Sequence, residues 1–294
     1  MWIADKWQDF KVLDTKDGEK IESWGEYTLR RPDPQVIWMA AEKPDIWKTA
    51  DAFYHRSKSG GGSWEYRKNL PERWTVSYGN LVFNIKTMGF KHTGLFPEQA
   101  VNWDYVAEKI KKSGRDDVKV LNLFAYTGAA TISAAAAGAK EVVHVDSSKG
   151  MVAWAKENVV SSGLEDKYIR FIVDDVLKFV EREKRRERKY DVIIMDPPSY
   201  GRGPSGEVWK IEDSIDELVE LTSKVLSDNP LFFLINSYTT GLSPLTMSYI
   251  INLRIAKKHG GYSEASEIAL PVKYGKGFMP CGASARWQSA ETQK

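Results

Sequence analysis

Among its 294 residues the sequence has one cysteine, Cys281, and four histidines, His55, His92, His144 and His259. A lone thiol cannot build an intrachain disulfide framework, and histidines at these spacings form no metal-ligand motif, so no metal is expected. Long apolar runs are missing too. No stretch approaches the roughly 18 consecutive apolar residues of a membrane helix, and the opening residues MWIADKWQDF are too polar for a secretory signal. The expectation is a soluble, cytoplasmic protein without a membrane partner. An excess of one charge sign is also lacking: the formal net charge is +2, so bulk charge argues little for a nucleic-acid partner and local patches must decide. Internal repeats and long low-complexity segments are absent as well. Nor is there a G-x-G-x-x-G turn, whose glycines would let the backbone approach a diphosphate.

What is present is a regular alternation from Val118 onward. Strands are predicted at 118–123, 141–145, 169–173, 190–195 and 231–235, with helices at 129–137, 149–161, 176–188 and 213–227 between them. A further helix at 244–258 precedes late strands near 265–271 and 283–287, and a helix at 102–112 precedes the whole series. This spacing is that of βαβ units, and the apolar runs lack strict alternation, as in a parallel sheet covered on both faces. The fold class is therefore α/β. Residues before 86 read differently, as short β-like runs (Tyr27–Leu29, Val36–Met39, Trp74–Tyr78, Leu81–Ile85) separated by turn residues. Single cores stop growing near roughly 250–300 residues, so two domains are predicted: a β-rich one at 1–85 and an α/β one at 86–294. Seven of the eleven tryptophans precede residue 85, which requires a packed interior or a stacking role there; most are expected in the core.

Ligands in open α/β sheets bind outside the carboxyl ends of the strands. The first such end, Val120-Leu121-Asn122-Leu123-Phe124, runs into Ala125-Tyr126-Thr127-Gly128 and a small-residue helix. With bulky Phe124 and Tyr126 and a single glycine, this turn disfavours a dinucleotide and leaves room for a nucleoside without a diphosphate. The second end carries Asp146, placed to accept both ribose hydroxyls, and the third carries Asp174-Asp175, where Asp175 can accept from an adenine amino group. Both acids can equally be helix N-caps, and the two roles can coexist. The fourth end, Val192–Met195, leads into Asp196-Pro197-Pro198-Ser199-Tyr200. An acid followed by two prolines makes a stiff exposed turn with outward carbonyls, suited to a planar acceptor.

In this order, Leu121-Asn122-Leu123-Phe124-Ala125-Tyr126-Thr127-Gly128, Val145-Asp146-Ser147-Ser148, Val173-Asp174-Asp175-Val176 and Asp196-Pro197-Pro198-Ser199-Tyr200, the chain resembles class I S-adenosylmethionine-dependent methyltransferases. Within them it is similar to the branch of large-subunit ribosomal RNA methyltransferases acting on cytosine C5 or guanine N7, over about residues 86–287. The resemblance implies a Rossmann-like seven-stranded sheet, mostly parallel with its last strand antiparallel, and S-adenosyl-L-methionine as cofactor. It implies cofactor contacts at Asn122, Phe124, Ala125, Tyr126, Thr127, Gly128, Asp146, Ser147, Asp174, Asp175 and Asp196. The connector Lys91-His92-Thr93-Gly94-Leu95-Phe96-Pro97-Glu98-Gln99 resembles the branch's K-T-G-x-F-x-x-Q segment, adding Thr93 and Gln99; Ala100 stands where an arginine commonly follows. Asp196 and the Pro197 carbonyl would orient the acceptor, with Tyr200 stacking on it. Carbon methylation in C5 members uses a cysteine after the fifth strand, and the corresponding Asn236-Ser237-Tyr238-Thr239-Thr240 has none. Cys281 is expected to be a packed residue. These points favour a base nitrogen in ribosomal or other structured RNA, while protein and small-molecule acceptors, or a catalytically silent scaffold, stay open.

Two further segments bear on RNA. Tyr54 to Trp74 holds five basic and two acidic residues, interleaved with Tyr54, Trp64, Tyr66 and Trp74 around Gly60-Gly61-Gly62. Such a segment either contacts single-stranded nucleic acid or is a solvated hairpin whose tryptophans pack inward. The loop Gly201–Lys210, with Arg202, Trp209 and Lys210, either closes over the acceptor or is an ordinary loop. The oligomeric state is not legible.

Overall fold

Two-residue turns punctuate the first hundred residues. The computed structural model describes residues 1–57, 61–202 and 208–290. After β1 (Trp2–Ile3) come β2 (Phe10–Lys16), β3 (Glu19–Trp24), β4 (Tyr27–Pro32), β5 (Ala52–Arg56) and β6 (Gly62–Tyr66), then the hairpin β7 (Trp74–Tyr78) and β8 (Leu81–Ile85). Asp17-Gly18, at φ 47° and 74°, joins β2 to β3 with Lys16 opposite Glu19, as an Asp-Gly hairpin turn requires. The strands β2 to β6 form one sheet in chain order, antiparallel except for β4 beside β5.

Between β4 and β5 a 3₁₀ turn, Pro44–Lys48, carries Trp47 into a cluster with Leu13, Ile21, Ala50 and Phe53. The Trp47 indole N–H is satisfied by Asp14 Oδ2 at 2.9 Å. The expected strand Val36–Met39 does not form, because the segment bonds to a turn and not to a strand edge. Gly18 N donates to Val36 O at 2.8 Å and Asp17 N to Trp38 O at 2.7 Å. Of the seven early tryptophans, Trp7, Trp24 and Trp47 are buried, Trp2, Trp64 and Trp74 half-buried and Trp38 exposed, fewer in the core than composition suggests.

The remaining elements are α1 (Ala100–Lys112), β9 (Lys119–Leu123), α2 (Ala129–Ala136), β10 (Glu141–Asp146), α3 (Lys149–Ser161), β11 (Ile169–Val173), α4 (Val176–Arg185) and β12 (Val192–Met195). They continue with β13 (Tyr200–Arg202), β14 (Val208–Lys210), α5 (Ile211–Ser223), β15 (Phe232–Ser237), α6 (Pro244–Ile251), α7 (Lys257–His259), β16 (Tyr262–Pro271) and β17 (Phe278–Gln288). The helix expected over 244–258 is interrupted by a π turn, Asn252–Ala256, which sets Arg254 Nε 2.8 Å from Asp216 Oδ1.

By contacts the chain divides into one compact unit of 1–101 with 268–281 and another of 102–267 with 282–294. Composition placed a single boundary at 85, and reading along the chain cannot reveal a return. Ile268 and Ala269 come back to pair with Trp2 and Ile3, and Lys273 N and Tyr274 N donate to Val12 O and Leu13 O.

In the second unit the strands lie in the order β16-β17-β15-β12-β9-β10-β11. The pairs β9–β10, β10–β11, β9–β12 and β12–β15 are parallel, and β17 is antiparallel to β15. Both faces are covered. Val120, Val142, Val192, Ile194, Phe232 and Leu234 pack with Tyr105, Val106 and Ile110 of α1 and Ala134 and Ala135 of α2. The alternate residues Leu121, Leu123, Val143, Val145, Ile193, Met195, Phe233 and Ile235 pack with α4, α5 and α6. The chain steps from β9 outward through β10 and β11, then crosses to β12 on the other side of β9. The topological switch point therefore lies between β9 and β12, and ligands of open α/β sheets bind at the carboxyl ends beside such a point.

Candidate active site

The turn after β9 has an unusual backbone: Phe124, Tyr126 and Gly128 all have positive φ, at 55°, 51° and 85°. Left-handed conformations in bulky residues are uncommon and persist only where the surroundings over-determine them. Here the surroundings are the end of β10. Ala125 N donates to Val145 O at 3.0 Å, and Tyr126 N donates to Asp146 Oδ2 at 2.8 Å. The other Asp146 oxygen accepts Ser148 N at 2.8 Å, so one carboxylate ties together the turns after β9 and β10. Asp146 is thus not the helix cap: Ser148 caps α3, accepting from Met151 N. Ser147 is exposed beside it.

Gly128 is required for two reasons. Its φ is 85°, and a Cβ there would stand 2.9 Å from Ala155 Cβ on α3. Beneath the turn, Asn122 Nδ2 donates to Thr131 Oγ1 at 2.9 Å, and that hydroxyl lies 2.9 Å from His144 Nδ1. Asn122 therefore points its amide into the core under α2, and Thr127 O accepts Asn158 Nδ2 at 2.9 Å. His144 is wholly buried, and burial pushes its imidazole down to about 3.

At the end of β11, Asp175 is the N-cap of α4, its Oδ1 accepting Lys178 N at 2.9 Å, and it is exposed. Asp174 accepts Asp175 N at 2.9 Å and pairs with Arg182.

The acid-Pro-Pro turn leaves β12 directly beside the β9 turn. Asp196 is half-buried, and its Oδ1 accepts Asn236 Nδ2 from β15 at 2.9 Å. Pro197 is buried; the Pro198 carbonyl accepts the Trp209 indole N–H at 2.6 Å; Ser199 Oγ accepts Thr239 Oγ1 at 2.6 Å. Tyr200 opens the antiparallel hairpin β13–β14, opposite Lys210, and is 52% exposed. The loop expected at 201–210 is this hairpin, whose connecting residues 203–207 lie outside the described residues. Trp209 also sets its ring 6.1 Å from that of Phe124, linking the two turns.

The structure therefore gathers Phe124 to Gly128, Asp146 and Asp196 at three adjacent strand ends, with Asp174 and Asp175 one strand further out. Thr93 and Gln99 belong to the first compact unit. Thr93 is fully buried, with its carbonyl accepting Lys86 N at 3.3 Å; half-buried Gln99 ends the 3₁₀ turn Pro97–Gln99. Asn236 and Ser148 were missed by sequence reasoning. Asn236 had a signal, since it follows an apolar strand at the very position inspected for a cysteine. Among the described residues no group of three or more His, Cys, Asp or Glu could hold a metal ion, and no helix is long and apolar enough to cross a membrane.

The Tyr54–Trp74 segment forms β5, β6 and the chain after them, with Lys58–Gly60 outside the described residues. Of its rings, Tyr54 is buried, Trp64 and Trp74 are half-buried with their indole N–H groups donating to Met88 O and Trp24 O, and Tyr66 is exposed. Lys68 is engaged by Asp51 at 2.6 Å, and Arg67 lies over Phe53 at 4.4 Å.

The sequence profile of the S-adenosylmethionine-dependent methyltransferase family matches residues 29–239. A solved SAM-dependent methyltransferase from Agrobacterium tumefaciens is 34% identical and superposes with a TM-score of 0.91, covering 98% of this chain and 92% of its own. The ribosomal RNA large subunit methyltransferase K/L of Shewanella baltica (strain OS155) is 36% identical over 159 residues, 53% of this chain and 20% of its own length. That of Shewanella sp. (strain ANA-3) is 36% identical over 179 residues, 57% of this chain and 23% of its own. This chain thus spans about a fifth of the length of those curated relatives. A switch point flanked by a one-glycine turn and an acid-Pro-Pro turn agrees with these likenesses, and the chain belongs to the S-adenosylmethionine-dependent methyltransferase family.

Proposed function

We propose that this chain transfers a methyl group from S-adenosylmethionine to a nitrogen of a base in structured RNA, with ribosomal RNA favoured. The observation that carries this reading is the Asp196-Pro197-Pro198 turn beside the Phe124–Gly128 turn, its acid held through one oxygen by Asn236. In this reading residues 1–85 are the acceptor-facing domain and 86–294 the catalytic one, and the protein works in the cytoplasm.

The residues present fit the cofactor. A turn with one glycine and two aromatic residues suits a nucleoside without a diphosphate, and acids stand at the next two strand ends. The backbone of Asn122 to Gly128 would cradle it, Asp146 and Ser147 would hold the ribose, and Asp174 and Asp175 the adenine. When bound, the cofactor supplies an electrophilic methyl group on a sulfonium.

What remains for the protein is alignment, because in-line displacement gains most from a fixed approach. Asp196 and the Pro197 carbonyl accept hydrogen bonds from the base and fix its plane, and Tyr200 stacks on its face. As the base nitrogen spends its lone pair, positive charge grows on the ring, and the Asp196 carboxylate stabilises it. A nitrogen is favoured over C5 of a pyrimidine because carbon attack needs a thiolate. The stretch Asn236 to Thr240 holds no cysteine, and Cys281 is buried, its thiol pushed well up by burial.

The test is transfer of labelled methyl to total RNA, protein and metabolite fractions by wild type and Asp196→Ala. Label is expected in RNA, with transfer reduced by about 10²–10³-fold in the variant, the size of a lost transition-state contact, and calorimetric cofactor affinity reduced by far less. Label in protein or metabolites alone overturns the acceptor; undiminished turnover overturns the role of Asp196.

A further inference from the structure

A buried guanidinium stands at the far end of the hydrogen-bond chain that reaches Asp196. Arg286, on β17, is 6% exposed and lies in the layer of Val106, Ile110, Phe232 and Leu234, its guanidinium over the Tyr105 ring at 4.5 Å. Burial is the largest influence on it, pulling it down to about 10, still charged at neutral pH. A charge in such a layer is costly and must be compensated by hydrogen bonds.

Its Nη2 and Nε donate to Asn102 Oδ1 at 2.8 and 3.2 Å. Asn102 Nδ2 donates to Ser284 Oγ at 2.9 Å, Ser284 Oγ donates to Asn236 Oδ1 at 2.8 Å, and Asn236 Nδ2 donates to Asp196 Oδ1 at 2.9 Å. The direction of every bond is forced. Arginine has donors only, so the Asn102 oxygen must face it and the Asn102 amide nitrogen must face Ser284. The serine oxygen, already accepting, turns its proton to Asn236, whose NH₂ is left facing the carboxylate, an acceptor only when ionised.

The fold holds this chain in register. Asn236 and Ser284 are direct cross-strand partners, and β17 comes this close to β15 because residue 282 is glycine: a Cβ there would meet Ser237 O at 2.7 Å.

We propose that Arg286 is a positioning residue that acts through Asn102, Ser284 and Asn236 to fix the Asp196 carboxylate in one orientation as an ionised acceptor. This rests on the reading that Asp196 holds the methyl acceptor. Donors in series polarise one another, so the chain conveys orientation to the acid while Arg286 itself stays buried.

The test is a double-mutant cycle of Ser284→Ala and Asp196→Asn, using the acceptor fraction that takes label. Ser284→Ala is expected to lower kcat about tenfold, the effect of one lost orienting hydrogen bond, with cofactor affinity unchanged. In the Asp196→Asn background the same substitution should cost less than about twofold, since the residue it orients is already altered. An equal fall in both backgrounds, or none in wild type, overturns the relay. Wild-type kcat in Asp196→Asn alone overturns instead the reading of Asp196 on which the relay stands. Crystals give a readout independent of turnover: the Asp196 carboxylate should keep one rotamer in wild type and Ser284→Thr and occupy more than one in Ser284→Ala. A single rotamer in all three overturns the proposal.

Discussion

Gly128 carries two constraints at one position, a left-handed backbone and a tight approach to Ala155. Gly128→Ala adds a left-handed penalty of about 1–2 kcal/mol to an overpacking cost of about 1–3 kcal/mol. The expected loss of stability is about 2–5 kcal/mol, read from urea unfolding; a loss below about 1 kcal/mol would mean that α3 simply yields. Phe124 and Tyr126 share the left-handed backbone without being glycine. Their conformation is held by hydrogen bonds to Val145 O and Asp146, so the strain belongs to the turn and not to either ring.

Elements impose their own requirements on the same residues. Asp175 caps α4, and a cap is lost to alanine at about 1 kcal/mol. Serine caps nearly as well but has no carboxylate for an adenine amino group. Asp175→Ser is therefore expected to keep the unfolding midpoint and weaken cofactor binding about tenfold, the contribution of one charge-assisted hydrogen bond. Binding measured calorimetrically at the wild-type value would leave Asp175 as a cap alone. The first helix of the α/β unit shows the same overlap. On α1, Tyr105, Val106 and Ile110 form the apolar stripe, and Asn102 continues it toward the amino end as one of the relay's two amides.

Across the whole molecule, buried histidines link stability to pH. Burial holds His144 near 3, against 6.5 in an unfolded chain, and burial followed by the Arg31 charge holds His92 near 4. Below about pH 6.5 the unfolded chain takes up protons that the native protein refuses, so native stability is full above that pH and falls through the window beneath it. Each such site removes up to about 1.4 kcal/mol per pH unit. Denaturant unfolding between about pH 7 and 4 should show this slope, lessened by about that amount per unit in His144→Gln. An equal slope in the variant would show that His144 gains a proton in the native state.

The parallel sheet, its helices and the order of strand ends were legible in the sequence because they follow from local apolar runs and from turn residues where they stand. The acids at three of the strand ends, Asp146, Asp174-Asp175 and Asp196, could be read for the same reason. Which oxygen of Asp146 ties which turn, whether Ser148 or Asp146 caps α3, and that Trp209 closes on the Pro198 carbonyl could not, since these depend on side chains brought together by the fold. The return of residues 268–281 to the first unit was equally invisible from composition, and so was the line from Arg286 to Asp196, whose members are spread from residue 102 to 286. The sequence by itself determined the architecture and the sheet edge at which Asp146, Asp174, Asp175 and Asp196 gather, because backbone preference and apolar periodicity act over a few residues. Only the tertiary structure decided how the acid is held there, because hydrogen bonds between distant strands exist only once the chain has folded.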